Sequence, residues 1–169
     1  MKQLLFVAAL AISSVSFGQA SLKQDIDIIQ SSWGKTKQEL IKEAMKLQEP
    51  QAAAFWKVYD AYETERKKLG AKRLQLINDY TINYETLTDA QADELVKATL
   101  KNNIAYENLY LKYYDKVKKA AGAINAAKFI QLETALQTAI KSETQDAIPF
   151  IGDIDRTKKI NTVECVEHF

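Results

Sequence analysis

From Gln51 to Ile148 the chain carries no proline, and over that span apolar side chains return every three or four positions between Ala, Lys, Glu and Gln. Proline inside a helix deletes a backbone hydrogen bond and clashes with the preceding turn, so a long proline-free run with this period is material for long amphipathic helices. Strand signals are sparse, because few β-branched residues fall in alternating runs. The only prolines are Pro50 and Pro149. The expected fold class is all-α: an elongated four-helix hairpin or bundle with long antiparallel central helices.

The first helix is expected from about Asp25 to Met45, with Ile29, Trp33, Leu40, Ile41 and Ala44 on one face. Gly34 interrupts it at a cost of about 1 kcal/mol relative to Ala, so a bend or a close helix contact is expected there. A second helix opens around Glu49 and Pro50 and reaches about Tyr84, its seam running from Phe55, Tyr59 and Tyr62 to Leu76, Ile77 and Tyr80. Pro50 is tolerable in a first turn, where the missing N–H has no internal partner. At 1.5 Å per residue such a rod is about 50 Å long, which implies a stretched hairpin. The third helix is expected from about Asp89 to Lys119, with Leu95, Val96, Ala105 or Tyr106, Leu109, Tyr113 and Val117 facing inward. Ala120 to Ala123 then breaks the pattern, and a fourth helix follows from about Ala126 to Glu143 with Phe129, Leu132, Leu136 and Ile140 inward. Gly152 to Phe169 has no helical period and is expected to be a mobile tail.

The first residues read as an export address. Lys2 precedes the apolar run Leu4 to Ile12, and Ser13 to Ala20 is small and polar. The run is shorter than the roughly 20 residues a membrane span needs. A cleaved signal peptide over 1–20 and a periplasmic destination are expected, leaving a helical domain over 21–150 and a tail over 151–169. Lys2 is the one charge of that leader; without it 22 basic side chains face 22 acidic ones, which argues against a nucleic-acid partner. One cysteine, Cys165, excludes an intramolecular disulfide framework. The single His168 lies beside it in the tail, so no metal site is expected. No nucleophile–base set, phosphate-cradling glycine loop or paired carboxylates can be picked out, and neither catalysis nor a cofactor is expected.

The helix starts carry the most information. In Leu87-Thr88-Asp89-Ala90-Gln91 the Thr88 hydroxyl can accept from the Gln91 N–H while the Gln91 amide reaches back to Thr88, a reciprocal capping box with Leu87 as a staple. A degenerate copy stands at Leu47-Gln48-Glu49-Pro50-Gln51, where the weaker Gln48 replaces the capping threonine. A fainter start lies at Ile124-Asn125, with Asn125 as cap and Ile124 stapling onto Phe129.

The L-T-x-x-Q segment, its copy at Leu47 to Gln51, the long charged helices and the leader together resemble the Spy/CpxP family of periplasmic stress proteins over roughly Asp25 to Glu143. The resemblance implies a curved helical hairpin that pairs into a homodimeric cradle, acting as an ATP-independent chaperone for unfolded or partly folded envelope proteins. It equally covers a regulatory accessory that binds a membrane sensor ectodomain or an anti-sigma system. The chain departs from the family in Gln48 and in its neutral charge balance.

A candidate client-binding surface is the basic and apolar mixture of Arg66, Lys67, Leu69, Lys72 and Arg73, together with Tyr110 and Tyr114 on the third helix. Cations capture an unfolded chain at long range, and scattered apolar contacts hold it without demanding one shape. The same residues also suit an ordinary solvated face, with a Glu63–Lys67 pair one turn apart, and a tyrosine stripe that is mostly core. A structural helical hairpin without clients is the third reading.

Overall fold

The computed structural model describes residues 23–149 and 151. The signal peptide expected over 1–20, and the tail with Cys165 and His168, lie outside the described residues except for Ile151. The described chain is all-α, without a strand, in the order α1 (residues 23–33), α2 (Lys37–Met45), α3 (Gln51–Asn83), α4 (Asp89–Ala121) and α5 (Ala123–Ala147). The two central helices have 33 residues each, about 50 Å at 1.5 Å per residue. They pack along one another, α5 packs against α4, and α2 lies on α5. No described helix is long and apolar enough to cross a membrane.

The first expected helix divides. Gly34 adopts φ +65, its N–H closes α1 on the Gln30 carbonyl (2.8 Å), and Thr36 opens α2 with a complete capping box to Glu39. A glycine costs a helix little by itself; here left-handed backbone and a competing cap two residues later turn it into a break. Trp33 and Ala44, expected on the same face as Ile29 and Ile41, are consequently exposed, while Ile29 and Ile41 are buried.

The last helix also starts earlier than expected. Gly122 alone joins α4 to α5, at φ 89 and ψ 162, a conformation essentially restricted to glycine. Asn125 therefore lies inside α5, where its Nδ2 donates to the Ala121 carbonyl (2.8 Å), and Ile124 is 76% exposed instead of stapled.

The core is aromatic. Tyr62 of α3 meets Tyr113 of α4 (ring centroids 5.3 Å) and Phe129 of α5 (5.1 Å), both edge to face. Phe55 and Tyr59 continue the stack onto Phe129, with Trp56 half-buried beside them. Leu136 and Ile140 of α5 hold Ile29 of α1 in a second cluster. Edge-to-face pairs of this kind add directionality to apolar burial.

Candidate functional site

α5 is eight residues shorter than α4, so where it ends the α3–α4 pair continues without a third helix. A groove of about 330 Å³ opens there. Its walls are Leu76, Ile77 and Tyr80 from α3, Leu95, Val96 and Leu100 from α4, and Thr144 and Ile148 from the end of α5. Leu76 is a buried floor at 7% exposure, whereas Val96 and Leu100 stand 55% exposed on the rim; Val96 is thus not the inward residue its spacing suggested. Lys141 and Arg73, the latter ion-paired to Asp25, also line this apolar channel. The Tyr80 hydroxyl donates to the Pro149 carbonyl (2.8 Å) and ties the outgoing chain to one wall.

Among the expected capping residues, Thr88 and Gln91 form the reciprocal box: Thr88 Oγ1 accepts from the Gln91 N–H (3.3 Å) and the Thr88 N–H donates to Gln91 Oε1 (3.0 Å). Leu87 is half-buried. The earlier copy is not a box. Pro50 precedes α3 with no side-chain cap, Gln51 is exposed, and Glu49 Oε2 accepts from the Ala53 N–H (3.3 Å). Leu47 instead packs against the aromatic core.

The expected basic capture face does not assemble on the surface. Arg66 is 3% exposed and belongs to a chain of buried ion pairs. Tyr62 Oη donates to Glu133 Oε2 (2.7 Å), which also accepts from Lys37 Nζ (2.7 Å); Lys37 reaches on to Glu63 Oε1 (2.6 Å). Arg66 Nε donates to Glu63 Oε1 (2.8 Å) and its Nη1 to Asp25 Oδ2 (2.9 Å), and Arg73 Nη2 donates to Asp25 Oδ1 (2.7 Å). Glu63 is thus taken by Lys37 and Arg66, not by Lys67. Tyr110 is buried, Tyr114 and Leu69 are half-buried, and of that set only Lys67 and Lys72 are exposed, with Lys72 Nζ donating to Gln75 Oε1 (3.3 Å).

Alternation of sign makes this network tolerable in the interior. Burial works against a charged Glu63, yet Lys37 and Arg66 hold its carboxyl below the usual 4.5. Burial likewise opposes the Arg66 charge, and Glu63 and Asp25 outweigh it and raise the value above that of a free guanidinium. Burial, reinforced by Glu133, pushes the Tyr62 phenol far up and keeps it a donor. The partners come from α1, α2, α3 and α5, so the network pins the two short helices to the rod. One signal in the sequence marks it: Glu133 stands four after Phe129 and three before Leu136, on the apolar face of its helix. The groove left no comparable mark.

Among the described residues no cluster of His, Cys, Asp or Glu is arranged to hold a metal ion. Comparison with known proteins finds no matching family model, no matching curated protein and no matching solved structure.

Proposed function

We propose that this chain is an ATP-independent holding chaperone of the periplasm, similar in kind to the Spy/CpxP proteins, which shields apolar segments of unfolded or partly folded envelope proteins. The observation that carries the reading is the groove at the open end of the α3–α4 hairpin, with an apolar floor at Leu76, an exposed apolar rim at Val96 and Leu100, and Lys141 in its lining. Apolar contact without a fixed hydrogen-bond pattern accepts many sequences, and Lys141 in the groove lining supplies attraction at a distance. No nucleotide cycle is required, because release follows when a client buries its own apolar surface.

The test is aggregation of a chemically unfolded model protein, followed by light scattering. Near-stoichiometric amounts of the leaderless chain should suppress it, and Ile77→Glu with Leu95→Glu, which place charge in the half-buried walls, should abolish suppression while circular dichroism still shows helix. Full suppression by that folded variant would remove the groove from the reading, and none by the parent chain would overturn the chaperone.

A further inference from the structure

A second concavity lies at the N-terminal end of α3, roughly 30 Å along that helix from the groove. It is a cleft of about 510 Å³ walled by Met45 and Leu47 where α2 ends and by Phe55 and Trp56 of α3. Met45 and Phe55 are buried and Leu47 and Trp56 half-buried, so the wall is apolar and anchored in the core. The Trp56 ring is held edge to face by Phe55 (centroids 5.3 Å) and Tyr59 (5.2 Å). Its indole N–H, a group that can only donate, has no acceptor among the described residues. A further cleft of about 400 Å³ adjoins along α2. The two share Lys42 and Trp56 and together form an elongated trough.

The charges of the trough select its occupant. Lys42 and Lys46, one helical turn apart, are exposed in its lining, and neither makes an ion pair among the described residues. The acids nearby are engaged elsewhere. Glu43, between the two lysines in sequence, pairs with Lys35; Glu39 Oε2 accepts from the Thr36 N–H (2.8 Å); Glu49 Oε2 accepts from the Ala53 N–H (3.3 Å). An apolar wall beside two uncompensated ammoniums and an indole donor suits a molecule that is apolar along its length and anionic at one end. We infer that the trough binds a single-chain fatty carboxylate, its tail against Met45, Leu47, Phe55 and Trp56 and its head between Lys42 and Lys46. A neutral amphiphile of the same length gains only the apolar contact, and a cationic one is repelled. The inference is independent of the chaperone reading, since the trough and the groove have no residue in common.

Decanoate titrated into the leaderless chain tests it, with Trp56 fluorescence as the readout in a Trp33→Phe background and calorimetry as a second one. The expected result is a saturable blue shift of the emission, with decanol and decyltrimethylammonium binding about tenfold more weakly or worse. Lys42→Gln with Lys46→Gln should weaken decanoate by about tenfold and leave decanol unchanged, because only the head group loses its partners. Ala52→Phe, which fills the cleft from the α3 side, should abolish the heat of binding while circular dichroism still shows helix. Ile77→Glu with Leu95→Glu, in the groove, should leave decanoate affinity as it was. No saturable binding, equal affinity for decanol, or decanoate affinity untouched by the lysine substitutions would overturn the inference. Loss of binding in the groove variant, with none in Ala52→Phe, would move the ligand to the groove and overturn it as well.

Discussion

Glu133 shows how one residue can govern the packing of several. Fully buried, it accepts from Tyr62 and Lys37, and its loss leaves the buried Tyr62 hydroxyl without its acceptor and Lys37 with Glu63 as its remaining carboxylate. Breaking one partner of a buried ion pair costs about 3–5 kcal/mol, so Glu133→Ala should lower the denaturant midpoint steeply, while an unchanged midpoint would show that the network relaxes around the gap. Glu63 adds a pH dependence. Its carboxyl is held below 4.5 in the folded state, so its contribution is complete above the unfolded value and is lost as the pH falls through the lowered folded value. Thermal unfolding followed between pH 7 and about pH 3 should show stability dropping on the acid side, with a smaller drop in Glu63→Gln. From the sequence Arg66 reads as a solvated cation. Its partner Asp25 is 41 positions away, and no local pattern announces a pair at that range.

At the scale of the helix, two devices set the ends. The Thr88–Gln91 box satisfies backbone groups that the first turn of α4 leaves open, and Thr88→Ala should cost about 1 kcal/mol, read as a lower melting temperature. Gly122 is different in kind. An added Cβ there meets nothing within 4 Å, so the penalty of Gly122→Ala is purely one of backbone conformation, about 1–3 kcal/mol at φ 89 and ψ 162. A neutral Gly122→Ala would mean that the α4–α5 junction has another conformation open to it. Both ends of the long central rods follow from residues within four positions of each other, which is why their expected limits lie within two residues of the observed ones. The break at Gly34 was less legible: a glycine in a helix costs only about 1 kcal/mol, and the Thr36–Glu39 box that decides the matter sits inside what reads as one continuous apolar face.

For the whole molecule, the unequal lengths of α4 and α5 set the distribution of stability. The middle of the rod has a three-helix aromatic core, while the hairpin end, from about residue 77 to residue 96, has two helices and a groove. Hydrogen exchange should therefore be slowest around Tyr62, Tyr110 and Phe129 and markedly faster from Asp79 through Asp93, as expected where few apolar contacts protect the backbone. Uniform protection along α3 and α4 would mean that the hairpin end is covered. The proposed client contact uses this geometry, since the groove opens where α5 stops.

What the sequence determined alone is the class of fold, the two long rods and the cap that opens α4, because helix period, proline exclusion and capping act through bonds spanning about four residues. The tertiary structure decided which charges go inside and where the groove lies. Those outcomes depend on partners as far apart as Lys37 and Glu133, 96 positions along the chain, and on α5 stopping short of its neighbours. Such partners meet only once the helices have packed, so no spacing within a single helix encodes them.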